Sequence, residues 1–463
     1  MSTRSTAPNA QQDPIWNPAL LEKYNTSGPR YTSYPTALSF NEQVSRQDIE
    51  AAWHDSERSE LSLYVHLPFC HTLCYYCGCN KVITRHPEKV DRYLDALEAE
   101  IAGLPAAFKT KPVSQIHWGG GTPSFLTGPQ SERLMAMLRR DFDVQSNAQI
   151  SIEVDPREFP LERLDTLRAI GFNRLSIGVQ DFSETVQIAV NRVQSEALVA
   201  GLIDHARQLG FNSINLDLIY GLPHQSAASF ANTLGTVLTL DPERLSIFNY
   251  AHLPERFAAQ RKIKDEHLPS ADQKLAILQQ TIATLTGAGY QFIGMDHFAK
   301  PSDELAIAQR NGELHRNFQG YTTHQNCDLL GLGVSSISQI GRAFAQNQRE
   351  LKYYYQGIET HQHAHHKGYL LSDDDLIRQR VIRDLICNMQ LSVTAIEQEY
   401  GIHFAQYFAE AIAQLPELEA DGLIKWDQQM LQVQPQGKLL IRNICMLFDA
   451  YLKSSQQRFS KVI

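Results

Sequence analysis

LSLYVHLPFCHTLCYYCGCNK, residues 61–81, runs a strand-like stretch straight into four cysteines, Cys70, Cys74, Cys77 and Cys79. The other three, Cys327, Cys387 and Cys445, stand far apart. An odd total with four crowded together is not the pattern of a disulfide framework. Soft thiolates select zinc, copper(I) or iron–sulfur clusters. A structural zinc site usually takes two separated cysteine or histidine pairs, and no second pair follows. The C-x3-C-x2-C spacing also differs from the ferredoxin run, which supplies a complete ligand set. Three cysteines hold a cubane of four irons and leave one iron open to a small chelating ligand. Cys70, Cys74 and Cys77 are therefore the candidate ligands, and Cys79 is read as a neighbour that lines the pocket without ligating.

Outward from this loop the chain alternates. Strand patterns at 61–66, 114–118, 149–154, 174–179, 213–218 and 244–249 are interleaved with helical patterns at 87–101, 128–140, 160–170, 195–209, 226–240 and 270–288. In the first helix Val90, Leu94, Leu97 and Ile101 share one face. Strand and helix in turn mean βαβ units and a parallel sheet. Six units fall two short of a closed eight-stranded barrel, so an open three-quarter barrel and a doubly wound sheet both fit. In either, function sits at the C-terminal ends of the strands, which is where the cysteine loop falls.

The 463 residues suggest more than one domain. Residues 1–55 read as an arm, 56–350 as the catalytic domain, and 351–463 as a separate, mainly helical domain with a short strand pair around KWDQQMLQVQP. The net charge of −9, from 42 basic and 51 acidic residues, argues against a nucleic-acid binder. An anionic substrate would need a local cluster of cations working against that field. No apolar run reaches the ~20 residues of a membrane span. The first residues lack the apolar core of a secretory signal, and the expected compartment is the cytoplasm.

Further motifs follow the strands. WGGGTPSFL begins at Trp118, and its glycines would let backbone N–H groups approach a ligand closely. Glu153 ends the third strand, Gln180 ends the fourth, and Asp217 lies within the fifth. Arg192 is suited to bidentate pairing with a carboxylate. GLGVSSIS (331–338) is a second glycine-rich turn, and HQHAHH (361–366) reads as a solvated loop rather than a metal site. Arg30 and Tyr31 in GPRYTSYP fit either a substrate-carboxylate contact or simple packing of the arm.

The cysteine loop after the first strand resembles that of the radical S-adenosylmethionine (SAM) enzymes. The longer match, YVHLPFC…C…CGCNK with GPRYTSYPTA upstream, resembles one family among them, the oxygen-independent coproporphyrinogen III oxidases, from Tyr24 into the C-terminal domain. The resemblance implies an α/β fold, an open (β/α)6 three-quarter barrel of parallel strands, with the arm and the mainly helical C-terminal domain added. It implies a 4Fe-4S cluster on Cys70, Cys74 and Cys77 whose open iron binds SAM, and release of a 5′-deoxyadenosyl radical. Two SAM molecules per chain are expected. Gly120, Gly121 and Thr122 would contact SAM; Tyr64, Glu153, Ala251 and Ile337 would belong to the first molecule; Tyr76, Gln180, Arg192 and Asp217 to a second. The family usually carries phenylalanine where Tyr76 stands, so the ring is kept and a hydroxyl added. The implied substrate is coproporphyrinogen III, with a flavodoxin or ferredoxin as electron donor, acting on a monomer. No side-chain acid or base is named. The alternatives are a haem-binding chaperone of similar fold, a radical enzyme that methylates or opens a tetrapyrrole, and a structural zinc knuckle.

Overall fold

The computed structural model describes residues 15–452. The six expected strands form as β1 (Glu60–Leu67), β2 (Pro112–Gly120), β3 (Asp143–Val154), β4 (Arg174–Gln180), β5 (Ser213–Tyr220) and β6 (Arg244–Asn249). They pair in parallel in that order. The connecting helices are α1 (Glu88–Ala102), α2 (Gly128–Asp141), α3 (Glu162–Ala169), α4 (Glu196–Gln208) and α5 (Ala227–Leu240), and α6 (Ala271–Gly287) follows β6. Four of them start where a side-chain oxygen takes up an orphan N–H: Thr127, Ser195, Ser226 and Ser270 cap α2, α4, α5 and α6.

Because side chains alternate along a strand, each strand has one apolar and one polar face. Leu61, Leu63, Val65 and Leu67 are buried on β1, as are Ile150, Ile152 and Val154 on β3, Leu175, Ile177 and Val179 on β4, and Ile214, Leu216 and Leu218 on β5. The alternate positions carry Tyr64 and His66, His117, Ser151 and Glu153, Ser176 and Gln180, Asn215 and Asp217, then Ser246. The hydrophobic core thus lies on one side of the sheet, and the other side is left for chemistry.

The sheet extends past these six strands at both edges. β7 (Gln291–Gly294) and β8 (His297–Ala299) add antiparallel beyond β6. On the other side β9 (Cys327–Leu332) pairs in parallel with β1, and β10 (Ile337–Ile340), β11 (Ala343–Asn347) and β12 (His365–Leu370) continue antiparallel. The order is β12-β11-β10-β9-β1-β2-β3-β4-β5-β6-β8-β7. β12 and β7 remain edges among the described residues, and the fold is the expected open (β/α)6 α/β architecture. GLGVSSIS makes the expected turn, a hairpin from β9 into β10. One expectation is corrected here. HQHAHH is not a loop: His361 ends a helix (Leu351–His361), and His365 and His366 lie in β12, where His365 Nε2 meets the Val44 carbonyl at 3.0 Å.

The described chain packs as two compact units, one from Thr32–Leu376, the other from the chain up to Tyr31 together with Ile377 onward. These divisions differ from the boundaries near 55 and 350 expected from sequence. β12 completes the sheet, which carries the larger unit past 350. A capped helix (Arg46–His54) buries Ile49 and Trp53 in that same unit, so residues 32–55 are not a free arm. The other unit is mainly helical with a small sheet of Gln390–Ser392, Met430–Val433 and Ile424–Trp426, the last two being the anticipated strand pair. Within it Tyr31 is buried and its hydroxyl donates to Asp449 Oδ2 at 2.9 Å, a packing role.

Candidate active site

The strand β1 delivers the chain to Pro68, and a two-residue strand, Phe69–Cys70, pairs with Val82–Ile83 to close the cysteine loop at its base. Cys70, Cys74, Cys77 and Cys79 all line one cavity of about 420 Å³ at the C-terminal ends of the strands. None is in a disulfide. The first three differ in surroundings. Thr122 Oγ1 donates to Cys70 Sγ at 3.2 Å, while burial pushes that thiol up to about 12. Arg157 Nη2 and Arg192 Nη1 approach Cys74 Sγ at 3.4 and 3.5 Å. The hydrogen bond from the Cys79 thiol, helped against burial by the Lys81 charge, lowers Cys77 to about 6. A thiol made more acidic at one position and cationic or hydroxyl donors aimed at the other two sulfurs fit a ligand set that must carry negative charge.

The glycines at the end of β2 have a local packing reason. A Cβ on Gly120, whose φ is +117°, would sit 2.6 Å from the His66 ring, and one on Gly121 would sit 2.6 Å from the Pro68 backbone. Their N–H groups are also committed: Gly120 donates to Glu153 Oε2 at 3.1 Å, Gly121 to the Leu67 carbonyl at 2.9 Å, and Thr122 to the Phe69 carbonyl at 2.8 Å. The turn therefore straps the cysteine loop to β1, with these three backbone donors engaged inside the fold.

Glu153, Gln180, Arg192 and Asp217 line the same cavity, as do Tyr76, Gly120, Gly121 and Thr122. Asp217 accepts from Ser176 Oγ at 2.9 Å and Asn215 Nδ2 at 2.8 Å, and burial together with the Glu153 charge outweighs these bonds and lifts its carboxyl to about 6. Gln180 takes φ +72° at the end of β4. Arg192 is buried and donates to the Gly178 carbonyl. Tyr76 is held by its carbonyl, which accepts from Gln260 Nε2 at 2.9 Å.

Three expected residues stand apart from the cavity lining. Tyr64 stacks on His117 with centroids 6.0 Å apart, and its hydroxyl lies 3.1 Å from His66 Nδ1. Ala251 shares Gln260 Nε2 with Tyr76, at 3.2 Å. Ile337 opens β10, and a Cβ on Gly331 would lie 2.6 Å from its carbonyl oxygen.

Sequence reading missed several residues the fold brings in. Asp155 bridges two cations, 2.6 Å from Arg157 Nη2 and 3.1 Å from Arg192 Nη1; burial would raise its carboxyl, but Arg192 and Arg157 bring it down to about 2. Arg244 also lines the cavity, paired to Asp303 at 2.9 Å and Glu304 at 2.7 Å. His117, Ser176, Asn215, Ser246, Gln319 and Tyr321 complete the wall. The strand residues carried a signal, the polar members of each two-residue alternation. Gln319 and Tyr321 come from a hairpin (His315–Asn317 with Gly320–Thr322) that has no such pattern.

Comparison with known proteins adds to this geometry. Residues 64–237 match the model of the Radical SAM superfamily, and residues 371–440 match the HemN C-terminal domain. The chain is 58% identical over 456 residues to the oxygen-independent coproporphyrinogen III oxidase of Salmonella typhimurium, covering 98% of this chain and 100% of that one. It is 58% identical over 450 residues to the Escherichia coli protein of that name, covering 97% and 98%. The solved structure of coproporphyrinogen III oxidase (HemN) from Escherichia coli, described as a radical SAM enzyme, superposes with a TM-score of 0.91 at 57% identity, over 95% of this chain and 100% of that one.

Proposed function

The chain belongs to the oxygen-independent coproporphyrinogen III oxidases of the radical SAM superfamily, and from that membership we propose that it oxidatively decarboxylates two propionate side chains of coproporphyrinogen III. The products are two vinyl groups, hence protoporphyrinogen IX, and two molecules of carbon dioxide, a step of haem biosynthesis. The carrying observation is the convergence of Cys70, Cys74 and Cys77 with the Gly120–Thr122 turn and the strand-end polar groups on one cavity.

When bound, the 4Fe-4S cluster and SAM would supply one-electron reduction and abstraction of a hydrogen atom from the propionate β-carbon, and the second electron of each decarboxylation would pass to a separate electron acceptor as carbon dioxide leaves. The residues of the chain hold and orient. Cys70, Cys74 and Cys77 bind the cluster. Gly120, Gly121, Thr122, Tyr64, Glu153, Ala251 and Ile337 form the first SAM site, and Tyr76, Gln180, Arg192 and Asp217 a second. Asp155 balances Arg157 and Arg192, so that the sulfur-facing guanidinium groups are not isolated charges in a buried wall. A flavodoxin or ferredoxin delivers the electron, and the enzyme works as a cytoplasmic monomer.

The substrate is an anion, and the hairpin beside the cavity offers donors for it. Arg316 Nε and Nη1 and Gln319 Nε2 are buried without a hydrogen-bond partner among the described residues, and the Arg316 guanidinium lies 5.1 Å from the Tyr321 ring centroid. Guanidinium N–H groups without a partner offer charge-assisted hydrogen bonds to a propionate carboxylate. Arg316→Lys is expected to raise KM for the porphyrinogen about tenfold or more, with SAM binding unchanged; an unaltered KM removes Arg316 from the substrate site.

The activity is tested anaerobically, with rebuilt cluster, reductant, SAM and coproporphyrinogen III, by mass spectrometry. Loss of two carbon dioxide units with formation of 5′-deoxyadenosine, abolished by Cys70→Ala, Cys74→Ala or Cys77→Ala, is the expected result. An intact cluster without decarboxylation, where a known oxidase works, overturns the reading.

A further inference from the structure

At the opposite ends of the strands from the cysteine loop, a second set of metal-ligating side chains comes together. Glu60 opens β1 and Cys327 opens β9, and the two are register partners in the parallel pair. His324 lies three residues before Cys327. One ligand atom from each of Glu60, His324 and Cys327 falls within 4.8 Å of the other two. Cys327 is buried and the other two are half-buried. The Glu60 Oε2 to Cys327 Sγ distance is 3.6 Å. That is close to the edge of a tetrahedron with zinc–oxygen and zinc–sulfur bonds of about 2.1 and 2.3 Å, which is about 3.6 Å.

We propose that Glu60, His324 and Cys327 bind a zinc ion. Two independent observations support this beyond proximity. His324 Nε2 is buried and finds no hydrogen-bond partner among the described residues, a cost of about 1–3 kcal/mol that a ligand would remove. Ser114 Oγ lies 3.2 Å from Cys327 Sγ, placed to hydrogen-bond a metal-bound thiolate as outer-shell groups do. The donor set of one sulfur, one imidazole nitrogen and one carboxylate oxygen suits zinc better than a hard oxygen-seeking cation. Thiolate and carboxylate balance the ion's charge, and the fourth position is open to water. The Arg58 guanidinium donates to the Cys327 carbonyl at 2.6 Å, which fixes the backbone that presents the sulfur. Such an ion joins the first strand of the sheet to one that follows it by some 260 residues in sequence. Closing so long a loop stabilises the fold.

The test uses the cluster-loaded holoenzyme, in which Cys70, Cys74 and Cys77 are already occupied. It is equilibrated anaerobically with zinc chloride, freed of loose metal, and analysed for zinc and iron. About one zinc per chain is expected, falling at least tenfold in affinity in Cys327→Ser and His324→Gln with iron unchanged. Zinc should raise the wild-type Tm but not that of the variants. Zinc X-ray absorption on the wild type, which needs no variant to fold, should show one sulfur with nitrogen or oxygen ligands. No retained zinc, equal zinc in wild type and variants, or a sulfur-free zinc shell each overturns the proposal.

Discussion

Asp155 and Asp217 sit in the same cavity and are shifted in opposite directions, which makes them the sharpest probes of its electrostatics. Asp155 is held down from 3.8 to about 2 in the fold. Its ionised form therefore contributes stability above pH 3.8, about 2 kcal/mol by linkage, lost as pH falls through about 2. Asp155→Asn leaves Arg157 and Arg192 without that charge, and breaking such a buried pair costs about 3–5 kcal/mol. A lower urea midpoint at pH 7 and less iron retained per chain are expected, since both guanidiniums also reach Cys74. Asp217 goes the other way, from 3.8 to about 6. Between those values the folded chain holds a proton the unfolded chain has released, so stability falls as pH rises across that window, by about 3 kcal/mol. Urea midpoints of the cluster-free protein against pH should show this slope, and Asp217→Asn should flatten it. If Asp217 binds SAM as a carboxylate, SAM affinity rises with pH through about 6 in the wild type and not in the variant. Glu153, Gln180 and Asp217 were legible in the sequence because polar residues stand out in strands. Asp155 and Arg157 were not, because DPRE after a strand reads as an ordinary turn and only the fold brings Arg192 beside it.

At the scale of elements, the six strands, their helices and the cap positions were readable because each unit repeats one hydrophobic rhythm. β9 to β12 were not. Their strands are short, and GLGVSSIS is dominated by the turn it makes. The turn is held from outside: Glu100 on α1 accepts from the Gly333 N–H at 2.8 Å and the Tyr354 hydroxyl at 2.7 Å, and Tyr93 accepts from the Val334 N–H at 2.9 Å while donating to the His66 carbonyl at 2.7 Å. No local pattern announces a turn anchored by side chains more than 200 residues away. The glycines at the end of β2 stood out in the sequence, whereas the close packing they permit there did not. Gly120→Ala tests that packing, because a left-handed φ of +117° and a Cβ 2.6 Å from His66 oppose it together. The expected cost is more than about 1 kcal/mol, with iron content and Tm falling together. If instead Gly120 mattered only for ligand approach, SAM affinity would drop with Tm and cluster content unchanged.

For the molecule as a whole, the net charge of −9 and the absence of a long apolar run described the solvent-facing surface and nothing of the site, where cations gather against that field. Among the described residues, no helix is long and apolar enough to cross a membrane. Domain organisation was the least legible level, since sequence order is a poor guide to which segments pack together. Among the described residues, 15–31 belong with the unit that begins at Ile377. Asn443 Nδ2 donates to the Tyr24 carbonyl at 3.0 Å, the Tyr24 hydroxyl meets Asp421, and buried Arg442 donates through Nε to the Pro29 carbonyl at 2.8 Å and also to that of Gly28. Deleting residues 1–31 removes all of these partners at once, and each hydrogen bond lost from a charged group is worth about 1.5–3 kcal/mol. The deletion should therefore expose residues 377–463 to limited proteolysis, while Thr32–Leu376, whose sheet and cysteine loop use none of those contacts, keeps its cluster iron. Retention of a protease-resistant C-terminal unit in the deleted chain would show that these residues only decorate it; loss of iron in parallel would show that the two units do not fold independently.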